Sequence, residues 1–482
     1  MFTARNIHYD LADRTRALAH GGIGAVHLLA RKVGLIDAID RDLHLLKVHL
    51  PYHESDHVLN IAYNILCDGD CLQDLERLRN DEAYLDALGA QRIPDPTTAG
   101  DFCRRFESHR DVLTLMDLIN SVRVGVWKKQ ELGFFAQAII DADGTIAPTG
   151  GQCKAGMDLS YNGQWGYHPL IVSLANTREP LFVLNRSGNR PSHENAAEYL
   201  DRSIALCRAA GFKSILLRGD TDFSQTAHLD RWDADGVGFL FGIDAHKNLM
   251  IRAELLDQSD WKSLVRPPRY EVVTQERAKP ANIKEQVVAE RGYKNLKLRC
   301  EHVAEIDYQP GKCDRSYRLI ICRKTIDAEV SQEKLWDEYR YFFYITNDRA
   351  TTAPELVLQA NGRCDQENLI EQLKNGVSAM KLPVDNLLSN WAYMVMASLA
   401  WSLKAWWGLM LPVASGARAE AQRREKHEIV RMEFKRFVAG VIRLPCQIIR
   451  GGRRLVYRLL SYNPWQLSLL RGVAAWRTRT QC

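Results

Sequence analysis

Three segments that lie far apart in the sequence carry acidic residues whose types and spacing suit divalent-metal chemistry. Asp141 and Asp143 end an apolar run that predicts a strand, in the segment DADGT. Asp220 follows a second apolar run, in the segment RGDTDF. Glu367 lies in NGRCDQENLIEQLK, residues 361–374, which is compatible with a helix. Because Mg²⁺ prefers oxygen ligands, we predict that carboxylates from these segments form a metal site.

Two of these segments offer more than one acid for the same role. Alternate side chains of a strand share a face, so Asp141 and Asp143 should point the same way. The Asp-Gly-Thr step favours Asp143 as the principal ligand, and Asp141 stays in the predicted metal set. Asp222 is a weaker rival of Asp220, which directly follows a glycine. An acidic turn explains each segment equally well when it is taken alone.

Together, Asp143, Asp220 and Glu367 could hold a pair of Mg²⁺ ions, for which Mn²⁺ could substitute. Two ions roughly 3.5–4 Å apart clamp the attacking and leaving oxygens of an in-line phosphoryl displacement. One ion activates a water or a DNA 3′-hydroxyl, and the other stabilises the leaving oxyanion. This chemistry requires no covalent intermediate with the enzyme.

The predicted helix places two cations beside its glutamate. At roughly 100° per residue, Arg363, Glu367 and Lys374 fall within about 40° of one another. Ordinary ion pairs on a solvated helix face, each worth a few tenths of a kcal/mol, would explain this stripe. Beside a metal site, Arg363 and Lys374 would instead hold the phosphates of the scissile strand. Asn361 is predicted to cap the helix.

The elements around these acids predict an α/β protein with a mixed sheet. Their order is strand, strand, strand, helix, strand, helix, strand, with the acids after the first and fourth strands. That order is the ribonuclease H-like layout. We predict a helical N-terminal region that recognises DNA ends, at 1–130. The catalytic domain follows in two parts, at 131–245 and 341–414, and the second part carries the glutamate helix and a buried helix. A β-rich insertion, 246–340, separates the two parts, and the C-terminal region, 415–482, is predicted to be helical and basic.

Basic residues are distributed unevenly along the chain. The net charge is only +5, yet residues 417–482 contain fifteen Arg and Lys against four acids. This excess predicts a polyanionic partner, and nucleic acid is the commonest one. Arg104 and Arg105 form a basic cluster that suits DNA contact or a solvated surface. Arg186 and Arg190 flank a glycine-containing turn that suits a phosphate or a simple loop.

The apolar run of residues 391–414 is long enough to span a bilayer. However, Lys404 lies past its middle, and its four tryptophans are spread along it rather than gathered at its ends. We therefore predict a buried core helix and no membrane association. The first residues lack the apolar core of a signal peptide, and the eleven cysteines include no CxxC pair. Reduced thiols in a cytoplasm are expected.

At this point the sequence resembles the DDE transposases of bacterial insertion sequences. The motifs DxDGT, RGDxxF and R-x3-E-x6-K carry the resemblance, together with longer runs such as GYHPLIVSLANTREPLFVLNRSGNRPSHENA and YFFYITND. The group with a Tyr-Arg-Glu-Lys signature and a β-strand insertion before the glutamate is the most similar. The resemblance implies that Asp143, Asp220 and Glu367 are the metal-binding triad. The signature tyrosine would fall at Ala360, and Tyr344 is a possible substitute.

The resemblance also implies an activity and its partners. Such enzymes cut at terminal inverted repeats and join the 3′ ends to target DNA, using Mg²⁺, as dimers or larger assemblies on paired ends. A place at the bacterial nucleoid follows from this activity. By the resemblance, the insertion commonly stabilises a flipped base or a hairpin end; which residue would stack there is open, and Trp261 and Trp336 are the candidates. The alternatives are a divalent-metal nuclease without strand transfer and a non-catalytic DNA-binding relative.

Overall fold

A computed structural model of the chain describes residues 15–49, 51–267, 281–291, 294–330, 333–451, 454–460 and 463–477. Most of its helices lie in the N-terminal third and the C-terminal third. The α-helices are α1 (Ile23–Lys32), α2 (Leu35–Asp42), α3 (Glu54–Leu66), α4 (Leu75–Arg79), α5 (Glu82–Leu88), α6 (Pro96–Arg104), α7 (His109–Trp127), α8 (Ala196–Ala210), α9 (Leu229–Ala234), α10 (Lys247–Glu254), α11 (Ile283–Arg291), α12 (Ala353–Asn361), α13 (Cys364–Glu371), α14 (Leu387–Met410), α15 (Ala419–Arg431), α16 (Phe434–Phe437) and α17 (Gln466–Trp476).

The strands form one large sheet and two small ones within the described residues. In chain order they are β1 (Ala17–Leu18), β2 (Gln137–Gly144), β3 (Ala147–Pro148), β4 (Asp158–Leu159), β5 (Trp165–Tyr167), β6 (Leu170–Leu174), β7 (Glu179–Leu184), β8 (Ser214–Gly219), β9 (Gly238–Ile243), β10 (Lys262–Ser263), β11 (Lys294–Tyr308), β12 (Tyr317–Val330), β13 (Glu333–Thr346), β14 (Cys446–Gly451) and β15 (Arg454–Leu459).

The large sheet is mixed, and its order among the described strands is β10-β11-β12-β13-β9-β8-β2-β6-β7. β2, β6 and β7 form an antiparallel meander. β8 and β9 run parallel to β2, joined by α8 and α9. The carboxyl ends of these three parallel strands therefore meet at one edge of the sheet. The mixed α/β class predicted from the sequence is confirmed.

The strands predicted as a β-rich insertion continue this sheet. β13 pairs with β9 over Phe343 to Thr346, and β12 and β11 follow it outward as long antiparallel strands. Without them β9 would be an open edge with unpaired backbone groups. The described strands β10 to β13 thus lengthen the large sheet, and β13 is followed by α12 and then by the helix that carries Glu367.

The buried helix predicted within 391–414 is α14, which is apolar all round and packs against helices and the sheet. Its Lys404 is fully buried and donates hydrogen bonds to the carbonyls of Val430 and Met432, at 2.8 and 2.6 Å. Buried Glu179 accepts hydrogen bonds from Arg123 and two tryptophans, which ties α7 and α14 to β7. Among the described residues, no helix is both long and apolar enough to cross a membrane.

The C-terminal region packs onto the N-terminal helices. The amides of Gly21 and Gly22 donate to the carbonyls of Leu444 and Ile442, at 3.0 and 3.1 Å. β14 pairs with β1 and with β15, so this region is not wholly helical. The helical prediction for 415–482 is wrong in that part. The exposure of β15 alternates along Arg454–Leu459, which is the two-residue period of a strand.

Candidate active site

Parallel pairing of β2 with β8 brings two of the predicted acids to the same edge of the sheet. Asp141 lies opposite Arg218 in the pairing register. Asp143 and Asp220 each follow two residues later on their own strands. Both carboxylates therefore lie at the carboxyl end of adjacent parallel strands, as the sequence pattern predicts.

The turn that carries Asp220 is held tightly against the neighbouring strand β9. A side chain at Gly242 would meet the backbone nitrogen of Thr221 at 2.9 Å, so only glycine allows this approach. Oδ1 of Asp220 accepts a hydrogen bond from the amide of Asp222 at 3.0 Å. The rival acid Asp222 thus helps to hold Asp220 through its backbone, while its own side chain is exposed.

The third acid comes from a helix that does not begin where the sequence suggested. Asn361 is the last residue of α12, and its side-chain amide donates to the carbonyl of Val357 at 2.6 Å. The predicted cap at Asn361 is therefore wrong. The reason is that Gly362 keeps right-handed helical angles, so the chain runs almost continuously into α13. Gly362 also leaves room for Nη1 of Arg218, which a side chain there would meet at 2.8 Å.

A buried glutamine fixes α13 over the sheet. Nε2 of Gln366 donates to the carbonyl of Ile171 at 3.0 Å, and its Oε1 accepts from the hydroxyl of Ser173 on β6. Asp365 pairs with Arg178 on the far side of the helix, at 2.7 Å. This anchoring leaves the side chain of Glu367 61% exposed on the side of the strand-end acids.

Arg363 lies among all three acids. Its Nη1 is 3.0 Å from Oδ2 of Asp143 and 3.8 Å from Oδ2 of Asp220. Its Nη2 is 3.6 Å from Oε1 of Glu367. The three carboxylates are not in mutual contact, since no oxygen atom from each lies within 4.8 Å of the other two. The structure therefore brings the predicted triad together around a guanidinium group.

The charge of the site favours a divalent cation. Burial raises the pKa of Asp143 to about 7, while Arg363 lowers it and Asp220 raises it. Burial also raises the pKa of Asp220, against the opposing effect of Arg363. Three carboxylates facing one guanidinium leave an excess of negative charge, and hard oxygen donors are the ligands that Mg²⁺ and Mn²⁺ take. The donor set fits such an ion.

A cavity of about 420 Å³ opens beside the triad. Asp220, Arg363 and Glu367 line it, together with Tyr344 from β13. Burial raises the pKa of the Tyr344 phenol to about 12, so it stays protonated at neutral pH. Asp244, which the sequence analysis missed, also lines the cavity and directly follows β9. Its position after a buried strand, like that of Asp220, is the signal that could have identified it.

Asp141 does not line this cavity and is engaged elsewhere. It is fully buried, and its two oxygens accept hydrogen bonds from Nε and Nη2 of Arg218 at 2.8 and 2.7 Å. Nη1 of Arg218 donates to the carbonyl of Gln359, at 2.8 Å. The pair thus ties the strand to α12 and leaves Asp141 no free oxygen for a metal. This corrects the place of Asp141 in the predicted metal set, because only the outermost acid of the strand reaches the edge.

The predicted phosphate contacts differ in their exposure. Arg186 is buried, and it donates to the carbonyls of His168, Pro191, Ser192 and Glu194. It shapes the turn and is not free to bind DNA, which corrects that prediction. Arg190 is 57% exposed, with Glu194 at 3.7 Å. Lys374 is half-buried on a π-helical turn after α13, and burial lowers its pKa.

The remaining predicted contacts lie on other surfaces. Arg104 pairs with Asp101 and Asp385, at 2.9 and 3.1 Å, and Arg105 is exposed beside it. Trp261 is only 8% exposed, and the guanidinium carbon of Arg323 lies 4.0 Å from its ring centre. This ring is covered, which corrects its prediction as a stacking residue. Trp336 lies in β13, and its side chain is outside the described residues.

With the geometry established, comparison with known proteins identifies the family. The chain matches the family described as Transposase DDE domain group 1 over residues 12–479, almost its whole length. The chain belongs to the DDE transposases. No curated protein sequence matches it. This DDE transposase is similar to the piggyBac transposase in the cryo-EM structure of its synaptic complex with hairpin DNA. The identity is 10%, the TM-score is 0.35, and the match covers 88% of this chain and 82% of that chain.

Proposed function

We propose that this DDE transposase serves a bacterial insertion sequence, binding terminal inverted repeats, cleaving DNA phosphodiesters and transferring the 3′ ends to target DNA. Asp143, Asp220 and Glu367 are the metal-binding acids of the proposal. The observation that carries it is the arrangement of these carboxylates around Arg363. Three acids from separate segments converge on one cation at the edge where a substrate can approach.

The strand order supports a ribonuclease H-like catalytic core. β2 lies between the antiparallel β6 and the parallel β8, and β7 and β9 lie outside them. This is the layout expected from the strand and helix order in the sequence. The first and fourth strands of this core end at Asp143 and Asp220, and the glutamate helix packs across β2.

Within the proposal the carboxylates bind a pair of Mg²⁺ ions, or Mn²⁺ in their place. Bound there, the ions supply an activated water or 3′-hydroxyl and stabilise the leaving oxygen. Arg363 then moves from the carboxylates to the scissile phosphate, because a guanidinium group can donate two parallel hydrogen bonds to phosphate oxygens. Lys374, seven residues further along, holds a phosphate farther along the same strand. The phenol of Tyr344 stands beside Arg363 and takes the place of the signature tyrosine.

The proposal assigns DNA contacts outside the core as well. Arg104 and Arg105 contribute to recognition of the terminal repeats, and Arg190 contacts the strand near the active site. Trp336 remains the proposed stacking residue of the long-stranded region. The protein acts on paired ends as a dimer, within the nucleoid of a bacterial cytoplasm.

Cleavage of a terminal-repeat duplex in Mg²⁺ tests the proposal. The variants Asp143→Asn, Asp220→Asn and Glu367→Gln should each abolish cleavage and keep DNA binding. Glu371→Gln is the matched control, because it lies one turn beyond Glu367 on the same helix and should cut normally. Full cutting by any triad variant would remove that residue from the metal site. Cleavage by the wild-type chain without joining of 3′ ends would indicate a nuclease instead.

A further inference from the structure

A second cavity, of about 570 Å³, lies beside the helix that carries the proposed catalytic glutamate. Three distant segments meet there: the turn after α3, the chain after α13, and the C-terminal residues from 434 to 443. Four cationic side chains line it, against the carboxylates of two aspartates. The cations are Lys374, Lys381, Lys435 and Arg443.

The carboxylates of this cavity are already engaged. Both oxygens of Asp68 accept hydrogen bonds from Arg443, and Nε2 of His20 lies 2.9 Å from Oδ2. Asp70 stands 3.8 Å from the ammonium of Lys381, and both side chains are largely exposed. Within the described part of the chain, Lys374 and Lys435 form no ion pair with a carboxylate. The cavity therefore presents an excess of positive charge, which Glu371 and Asp143 offset only in part at Lys374.

One wall of this cavity has a defined shape. Residues Gln372–Gly376 form a π-helical turn, a feature that occurs frequently at functional sites. Oε1 of Gln372 accepts from the amide of Phe434 at 2.9 Å, which joins this turn to the C-terminal region. A side chain at Gly376 would meet Cβ of Phe434 at 3.1 Å, so glycine permits this close approach. The lysines are thus held by packed backbone.

The backbone of the wall is also strained. Ser378 and Leu382 have φ angles of 52° and 54°, which side chains other than glycine rarely adopt. Such angles cost about 1–3 kcal/mol each and persist where the surroundings enforce them. Here the Tyr393 hydroxyl, at 3.3 Å from the Ser378 carbonyl, helps to enforce the conformation. The path of this segment brings Lys381 to the same cavity as Lys374.

We infer that this cavity binds a backbone phosphate of the DNA strand that is cut, with Lys435 and Lys381 as contacts beside Lys374. The inference rests on the proposed function. Lys374 lies seven residues after Glu367, which is about 10 Å along a helix. Phosphates of one strand are spaced by about 3.4 Å along the duplex axis, so a separation of this size along the DNA would correspond to a few nucleotides from the cleaved bond. The C-terminal region thereby becomes part of the path of the DNA.

The salt dependence of DNA binding tests the inference directly. Lys435→Gln and Lys381→Gln are placed in the full chain carrying Glu367→Gln, which prevents cutting during the measurement. Plotting log K for DNA binding against log salt gives a line with a negative slope. Each lost phosphate contact should make this line less steep by about one unit. The matched control is Lys213→Gln, an exposed lysine that precedes β8 at the edge opposite Asp220. It should leave the slope unchanged.

A modified DNA locates the contact. The phosphates two to four nucleotides from the cleaved bond are replaced with neutral methylphosphonates. This change should weaken DNA binding by the chain that keeps Lys435 and Lys381. The same DNA should cause little further loss in the Lys435→Gln, Lys381→Gln double variant. A salt slope equal to that of Lys213→Gln would overturn this inference, and so would equal losses of affinity for the modified DNA in both chains. If the wild-type chain still cut the DNA, the proposed function would stand. A wild-type chain that neither binds nor cuts terminal-repeat DNA would overturn both.

Discussion

Nη1 of Arg363 lies 3.0 Å from Oδ2 of Asp143, and the same guanidinium group reaches the other two acids of the proposed triad. The arginine comes from the helix and the aspartate from the strand, 220 residues earlier in the chain. A positive group therefore occupies the region in which the carboxylates would hold metal. Within the proposed function, the guanidinium group must therefore move away as a metal ion binds.

Arg363→Gln should raise the affinity for Mn²⁺ in the absence of DNA. A unit charge about 4 Å from a divalent ion costs about 2 kcal/mol even at the dielectric constant of water, so removing it should tighten binding roughly thirtyfold. Electron paramagnetic resonance of free Mn²⁺ gives the affinity. Arg190→Gln, an exposed arginine outside the triad, is the control. Equal or weaker binding by Arg363→Gln would show that the guanidinium does not compete with the ion.

Asp141→Asn and Asp143→Asn should have opposite effects, although the two acids lie on one strand. Asp141→Asn leaves the buried Arg218 without its counter-charge, which typically costs about 3–5 kcal/mol of unfolding free energy. Asp143→Asn should lose cleavage and, without metal at neutral pH, should be at least as stable as the wild-type chain. Urea denaturation followed by tryptophan fluorescence measures the first effect. An Asp141→Asn chain that is fully stable yet inactive would return Asp141 to the metal set.

The stability of the metal-free protein should fall as the pH rises from about 4 to about 7, relative to Asp143→Asn. Burial raises the pKa of Asp143 to about 7, from the ordinary value of 3.8 that it has when the chain is unfolded. Between these pH values the folded state binds more protons at this group than the unfolded state, so this contribution is complete below the unfolded pKa and is lost as the pH passes the folded pKa. Urea midpoints of both chains in a chelating buffer measure the difference. Parallel pH profiles for the two chains would contradict the shifted pKa.

Trp261 should matter for stability rather than for DNA distortion. Trp261→Ala removes a buried ring and should cost about 3–5 kcal/mol. Trp261→Phe keeps most of the packing and should cut DNA at the wild-type rate. Fluorescence of 2-aminopurine near the cleavage site reports base unstacking in both chains. Loss of that signal in a stable Trp261→Phe chain would restore Trp261 as the stacking residue.

The sequence was sufficient to find the acids at strand ends. An apolar run predicts a buried strand, and the carboxyl ends of parallel strands meet at one edge of the sheet, so a carboxylate after such a run is placed at that edge. It could not tell Asp141 from Asp143, since alternation puts both on one face and only the register with Arg218 separates them. The continuous path through Gly362 was missed because glycine usually ends helices. The hairpin of β14 and β15 escaped notice because the third strand of its sheet, β1, comes from the N-terminal region, far away in the sequence.

Crystals of the full chain with terminal-repeat DNA and Mn²⁺ would test the central claim most directly, through the anomalous scattering of manganese. The account predicts manganese within about 2.0–2.3 Å of carboxylate oxygens of Asp143, Asp220 and Glu367, a range typical of hard divalent cations. Arg363 should have turned from these oxygens to a phosphate. Manganese bound elsewhere, with Arg363 still among the three carboxylates, would contradict the account.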